Sequence, residues 1–531
     1  MKTLISFGII LFSLFFHSYN ITTVPNGLYL DETSIALNAG NIAESGIDEY
    51  GNNFPVYFEA FGDWKNPLYI YVSAGIMKIF GISNFTLRVT SILFFGIFLW
   101  GIYLFTKEIF KNSKNRNCLL YFSLISASVT PWFFTLSRIS FEVISQISTG
   151  IFVLYFLYKY YVSDIEESVQ NNIQKKKESN IFGILSGVSF ALFLYSYSTS
   201  KLIAFGILFA LFFSFYEKKY WKKHRVVFFS FFILFLPYLY FSYSHAGALT
   251  ARFELLTYLY NPNIEIFDKF IIFFKNYFSS YDISNFLLFE GDKNMRHSTG
   301  FMGQIFFATF IFFILGIYKI LSDIFRNTNN TNNKNIEIKK YKLFLLILLL
   351  GAPISASLTT DFHHSLRLLF FGMILFIFSI FGFALLLEKY GNNKKNIFLG
   401  VMFMVFFQSY FYFSDYFDKN SGYAKRAIPW FDGNKFEEHI QISISESGDK
   451  VLFENPNNPF YANVNFYNLQ HKNEKSVIMT KKYSIISDAK CVIVPQKNIQ
   501  EFQKNFNKKS KKKNIVLKFK TSLFSTYCKS L

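Results

Sequence analysis

Residues 366–387 read LRLLFFGMILFIFSIFGFALLL, an apolar run whose one charge, Arg367, sits at its leading edge. At about 1.5 Å of rise per residue, a helix of that length reaches across a hydrocarbon core of roughly 30 Å. Working outward, comparable runs lie at 3–19, 85–106, 118–136, 139–158, 181–199, 202–217, 226–243, 300–320, 343–360 and 397–414. Helices satisfy their own backbone polar groups, which lipid demands of any spanning segment. The pattern predicts an all-α polytopic membrane domain over residues 1–414, with about eleven transmembrane helices.

The composition agrees with this class. Of 531 residues, 51% are hydrophobic, and Phe alone contributes 73. The net charge of +19 looks at first like a nucleic-acid signal, but its distribution argues against one. Basic residues collect in alternate loops: Lys107 to Arg116, Lys218 to Arg225, Lys319 to Lys342, and Lys389 to Lys395. By the positive-inside rule these loops are cytoplasmic. No nucleic-acid motif accompanies them, and the lipid bilayer is the partner they imply. The N-terminus is then inside and the C-terminus outside, as in a multi-pass protein of the plasma (cell) membrane. The first run follows Lys2 like a signal sequence, but no small-x-small cleavage site precedes Asp31. It reads as an uncleaved signal anchor.

Residues 415–531 read as a separate soluble domain. KVLFENP (450–456), KSVIMT (475–480), AKCVIVP (489–495) and NIVLKFK (514–520) have strand composition. NPFYANVNFYNLQ (458–470) and NIQEFQKNF (498–506) have helical or mixed character. A small extracytoplasmic α/β C-terminal domain is expected. Cys491 and Cys528 lie within it and are available for one disulfide; Cys118 begins a span. CxxC and Cys/His zinc spacings are absent.

The charged residues on the outer side carry the chemistry. After the first span comes DETSIALNAGNIAESG (31–46), then a loop ending in FGDWKNPLYIY (61–71), which together supply Asp31, Glu32, Asp63 and Lys65. Ile35, Ala39, Ile42 and Ala43 share one helical face, predicting an amphipathic helix on the membrane with Asp31 at its start. Asp31 reads either as an N-cap or as a functional carboxylate. With Ser34 at the third helical position no capping box is expected. Residues 67–82 are apolar but contain Lys78, and read as a helix packed at the interface.

Three further outer constellations follow. PWFFTLSRISFE (131–142) puts Arg138 and Glu142 a helical turn apart, where the plain reading is a structural pair in the bundle. LLFEGDKNMRHSTG (287–300) holds Asp292, Arg296 and His297, where it is a solvated loop. SLTTDFHHSLR (357–367) holds Asp361, His363, His364 and Arg367. No HExxH-like spacing appears, so no metal ligand is assigned; no cofactor is identified, and divalent-metal dependence is left open.

In order and sidedness these loops resemble the GT-C integral-membrane glycosyltransferases, close to the polyprenyl-phosphate-mannose protein mannosyltransferases and the lipid A aminoarabinose transferases. The Asp-Glu after the first span carries the resemblance, with GNNFPVYFEAFGDWKNPLYIY, FTLRVTSILFFG, PWFFTLSRISFE, FEGDKNMRH and DFHHSLR. It covers roughly residues 20–415. Asn66 stands where that family often has proline, which implies a less rigid lysine loop. The resemblance implies a polyprenyl-phosphate sugar donor and an extracytoplasmic acceptor: a protein hydroxyl, or an envelope glycan or lipid. A phosphate leaving group needs little protonation, so one base suffices and cations must neutralise the departing anion. By resemblance Asp31 is the base and Lys65 the phosphate contact. Arg138, Arg296, His297, His364 and Arg367 are further phosphate donors, and Glu32, Asp63, Glu142 and Asp292 are the other acidic candidates. A single displacement would invert the anomeric configuration. The alternative from another class is a transporter or flippase of amphiphiles. That reading expects ionisable groups near mid-membrane on broken, repeated helices, whereas here they cluster on the outer side.

Overall fold

A computed structural model describes residues 2–162, 173–326, 333–431, 436–447, 450–454, 461–471, 476–480, 491–495, 500, 515–520 and 524–529. Apart from Gln500, the stretch NIQEFQKNF expected to be helical or mixed lies outside the described residues. The chain divides into two compact units, one of residues 1–19, 56–69 and 89–418, the other of residues 20–55, 70–88 and 419–531.

The first unit is a helical bundle. Its principal helices are α1 (Lys2–Ser18), α4 (Asn84–Ile109, from Val89 on), α5 (Arg116–Val129), α6 (Pro131–Ser137), α7 (Val143–Tyr161), α8 (Ile173–Leu194), α9 (Ser200–Ser214) and α10 (Trp221–Ser244). Short α11 (Ala251–Leu256) and α12 (Ile266–Ser279) precede α13 (Phe307–Phe325), α14 (Asn333–Gly351), α15 (Ile354–Ser357), α16 (Leu369–Lys389) and α17 (Lys394–Phe417). Among the described residues six helices are long and apolar enough to cross a membrane, or seven if the bent pair α5–α6 is counted as one span. The runs at 3–19, 181–199 and 202–217 form apolar helices of shorter length. The span read at 118–136 breaks at Thr130, where Pro131 occupies the first position of α6 and the axis turns by 58°. The span read at 300–320 begins only at Phe307. Residues 303–305 are instead paired with the backbone of 286–288 through Gly303 N to Leu288 O, Gln304 N to Phe286 O and Ile305 N to Leu287 O.

The opening stretch becomes α16, buried along nearly its whole length. It sits against α13, where Gly316 and Gly382 let the two backbones meet. A Cβ on Gly316 would fall 1.9 Å from Phe378 O, and one on Gly382 would fall 1.8 Å from Phe312 O. Glycine is the residue that permits such an approach between membrane helices. The outer faces of α10 and α17 instead display Phe229, Tyr240, Phe403, Phe407 and Tyr410, the dress of a lipid-facing surface.

The second unit combines α2 (Leu30–Ser45), most of α3 (Pro67–Phe80), and the C-terminal segment. A five-stranded sheet runs in the order β4-β3-β5-β7-β6, with β3 (Lys450–Glu454), β4 (Ser476–Thr480), β5 (Cys491–Pro495), β6 (Ile515–Lys520) and β7 (Phe524–Lys529). β3 pairs in parallel with β4 and β5, whereas β7 runs antiparallel to β5 and β6. Cys491 and Cys528 stand opposite each other on β5 and β7 and form the disulfide. Past the short helices α18 (Tyr423–Arg426) and α19 (Ile428–Phe431), α20 (Phe436–Ser447) packs on the sheet, with buried His439 hydrogen-bonded to Thr526 Oγ1 at 2.7 Å.

α2 departs from the expected surface helix. Ile35, Ala39, Ile42 and Ala43 are buried, but so are Glu32, Thr33, Ser34, Ala36, Leu37 and Asn38. Small residues allow this: a Cβ on Gly40 would lie 2.4 Å from Leu469 of α21 (Tyr461–Gln470). The helix also starts two residues earlier than read, with Tyr29 as N-cap, so Glu32 rather than Ser34 takes the third position. Its carboxylate accepts the Tyr29 N–H at 2.9 Å, the return half of the capping box that was expected to be missing.

Candidate functional site

Within the second unit the neighbouring carboxylates Asp31 and Glu32 part ways. Glu32 is wholly buried and paired with Arg88, with both Oε atoms 3.3 Å from its guanidinium. Arg88 also donates to the carbonyls of Ile21, Pro25 and Gly27 at 2.7, 2.6 and 2.5 Å. Glu32 and Arg88 thus staple the 21–27 loop to the first turn of α2. Asp31, at the second position of that helix, keeps partial exposure. Of the two carboxylates it is the more exposed.

The first unit holds the other loops. A hairpin of β1 (Phe58–Ala60) and β2 (Asp63–Lys65) turns through Phe61 and Gly62, whose φ values of 55° and 76° fit a type I′ turn. Trp64 packs its ring against Phe241 and His245 at the end of α10. Asp63 pairs with Arg252 of α11 at 3.4 Å. Lys65, at the hairpin's end, is 9% exposed. The next residue, Asn66, donates its backbone N–H to Glu142 Oε1 at 2.7 Å. Proline at this position has no N–H to give. The lysine loop is therefore held by a hydrogen bond that a proline at position 66 could not make.

Lys201, unremarked in sequence, belongs to the same group. It begins α9, its ammonium lies 5.2 Å from the centre of the Tyr57 ring, and it feels the charges of Asp63 and Glu142. A lone lysine heading an apolar run was the available signal. Arg138 is fully buried. Its guanidinium donates to His17 O at 2.6 Å and Tyr416 Oη at 3.3 Å, and it lies over the rings of Phe134, Tyr416 and Phe417. These contacts tie it to α1 and α17.

The loops around 282–305 and 357–368 interlock. Buried Asp292 accepts the Ser365 N–H at 2.8 Å and the Asn294 N–H at 2.9 Å, and its Oδ2 lies 2.7 Å from His297 Nδ1. Ser365 is also held by Gln304 and by the Trp132 indole. The His297 and His364 rings stack, centroids 4.8 Å apart. Burial works to raise the Asp292 pKa, but His297 and the hydrogen bonds outweigh it and hold the carboxyl below its ordinary range. Burial, followed by the charges of Arg367, His297 and Arg296, takes His364 well below the usual imidazole range. Arg296 is braced on Asn294 Oδ1 at 3.0 Å. Arg367 pairs with the exposed Asp361 at 2.8 Å and donates to Thr359 at 2.7 Å. His363 stacks on Phe286. Two groups therefore form within this unit: Lys65 with Asp63, Glu142 and Lys201, and Asp292 with His297 and His364.

The fold is that of two solved membrane proteins. ArnT of Cupriavidus metallidurans bound to undecaprenyl phosphate matches with a TM-score of 0.55 and 9% identity, over 99% of this chain and 97% of that one. Its apo state gives 0.57 and 8%, over the same shares. The oligosaccharyltransferase of Archaeoglobus fulgidus in complex with Zn and sulfate gives 0.52 and 12%, over 92% of this chain and 68% of that one. In sequence, residues 65–241 match the family described as dolichyl-phosphate-mannose-protein mannosyltransferase. That stretch starts at Lys65 and includes Arg138, Glu142 and Lys201. No curated protein matches the chain. The resemblance to the GT-C mannosyltransferases and aminoarabinose transferases read from the loops thus stands in both sequence and fold.

Proposed function

We propose that this protein transfers a sugar from a polyprenyl-phosphate donor to an extracytoplasmic acceptor, by a single inverting displacement. The observation that carries the reading is the Lys65 group. A nearly buried lysine ends a short hairpin, is tethered through Asn66 to Glu142, and has a second lysine, Lys201, coupled to the same carboxylates. Cations at the heads of apolar helices suit a phosphate carried on a lipid chain. The undecaprenyl phosphate bound in the ArnT structure has that chemistry. Lys65 and Lys201 neutralise the leaving phosphate. Arg296 and Arg367 stand as further guanidinium donors. Arg138 and Glu142 position the loops around them.

Asp31 is the general base. Its neighbour Glu32 is committed to Arg88, whereas Asp31 remains partly exposed at the start of α2. The reading keeps the eleven crossings expected from the sequence and, by the positive-inside rule, a cytoplasmic N-terminus, with the 415–531 domain outside a cell membrane. The acceptor is a protein hydroxyl or an envelope glycan or lipid.

Mass spectrometry of envelope glycans and glycoproteins, with the gene intact and deleted, tests the function. A sugar modification that disappears on deletion and returns with wild type but not with Lys65→Ala supports it. Identical profiles would remove it. An impermeant thiol label on introduced cysteines tests the orientation: loop 321–342 should stay unlabelled from outside, and 415–531 should label.

A further inference from the structure

We propose that Asp292, His297 and His364 form a binding site for a divalent transition-metal ion of the zinc class, with three protein ligands and one open position. They are a group of one carboxylate and two imidazoles whose ligand atoms all lie within 4.8 Å of one another. In a tetrahedral zinc site with bonds of about 2.0–2.1 Å, neighbouring ligand atoms stand roughly 3.3 Å apart. The observed spacing is therefore open by an ångström or so, which side-chain rotation can close.

The second observation is the state of the imidazole nitrogens. His297 is fully buried, yet neither ring nitrogen makes an aligned hydrogen bond; Nδ1 lies 2.7 Å from Asp292 Oδ2 but off the N–H direction. His364 Nδ1 is likewise buried without a hydrogen-bond partner. Buried polar nitrogens in native proteins are almost always satisfied, so three buried imidazole nitrogens without an aligned hydrogen bond, gathered beside a carboxylate, call for a ligand. An electrophile shared between them supplies it.

The frame is built to hold an ion. Asp292 cannot rotate freely, because the Ser365 and Asn294 N–H groups grip its carboxylate. This is the outer-shell support that fixes metal-ligating carboxylates. Asp292 and His297 come from one loop and His364 from another. Gln304 and Trp132 lock the second loop at Ser365, next to His364. No sequence spacing announces the set, because the third ligand lies 67 positions beyond the second.

One carboxylate and two neutral imidazoles leave a bound dication with a net positive charge and a vacant position. Resting on the glycosyltransferase reading, that position would take a phosphate oxygen of the lipid donor, with Arg296 and Arg367 on the same two loops. The metal would then act as a Lewis acid on the leaving group. His297 and His364 would serve as ligands rather than as hydrogen-bond donors.

Metal binding can be measured without any donor, so its failure is distinct from failure of the transferase reading. The full chain, purified in nanodiscs and stripped with chelator, is titrated with Zn²⁺ and with Co²⁺. One equivalent should bind, and the cobalt form should show the intense visible absorption of a four-coordinate site. Asp292→Asn and His364→Ala should each weaken binding by roughly 100-fold or more, beyond the 10–100-fold typical of outer-shell changes. His363→Ala, outside the set, should bind like wild type. No stoichiometric binding by wild type, or equal binding by the two ligand variants, would overturn the site. Should a ligand variant fail to fold, the wild-type cobalt spectrum decides: a six-coordinate, weakly absorbing form counts against the proposal.

Discussion

Replacing Arg88 with methionine should destabilise the second unit more than any single surface change. The guanidinium is 1% exposed and holds five contacts: two to Glu32, which is fully buried, and three to the carbonyls of Ile21, Pro25 and Gly27. Methionine fills much of the volume and makes none of them. Breaking a buried ion pair by removing one partner costs about 3–5 kcal/mol, because the remaining charge has no compensation. In a unit of roughly 150–250 residues each kcal/mol moves Tm by about 2–4 °C, so a shift of order 10 °C is expected. Differential scanning fluorimetry of the protein in nanodiscs reads it. The double variant Glu32→Gln/Arg88→Met removes the stranded charge and should recover part of the loss. An Arg88→Met protein melting within 2 °C of wild type, or a double variant no better than the single, would refute the claim that Glu32 is a structural anion.

Other outcomes follow from the same contacts. Lys65→Ala and Lys201→Met should each lower donor use by roughly 10–100-fold, the loss of one charge-assisted hydrogen bond of about 1.5–3 kcal/mol, with the thermal melt unchanged. Single-turnover transfer at varied donor concentration checks it. Gly382→Val places a side chain where the Phe312 carbonyl already sits, so α13 and α16 must separate. The expected cost is at least about 1–3 kcal/mol, read as a lower melting temperature and poorer recovery on size exclusion.

The long helices were legible because periodicity is not needed to find them: α16 and α17 are apolar almost throughout. Helix breaks were not, since a proline such as Pro131 is tolerated inside an apolar run and only the structure shows the 58° turn. α2 was misread as a surface helix because Ala, Gly, Ser and Asn look polar or neutral, while in close packing they are what lets a helix be buried. Arg88 gave no signal in the sequence, because its partner Glu32 lies 56 positions earlier, beyond any local pattern. The Lys65 hairpin announced itself, but its tether did not: Asn66 looked like a loss of rigidity until its N–H was found on Glu142. The pairing of Cys491 with Cys528 needed only that β5 and β7 be neighbours.

The central claim is that a sugar leaves a polyprenyl phosphate with Asp31 as base. Asparagine at position 31, the second residue of α2, keeps nearly the size and shape of aspartate, but it cannot take the acceptor's proton. The measurement is transfer from a labelled polyprenyl-phosphate sugar by purified wild type and Asp31→Asn in nanodiscs, with release of polyprenyl phosphate and the product's anomeric configuration followed together. Wild type should release the lipid phosphate and give the inverted product, and Asp31→Asn should bind donor normally yet transfer about 10²–10⁴-fold more slowly. Transfer by Asp31→Asn at the wild-type rate, or a product of retained configuration, would contradict the account.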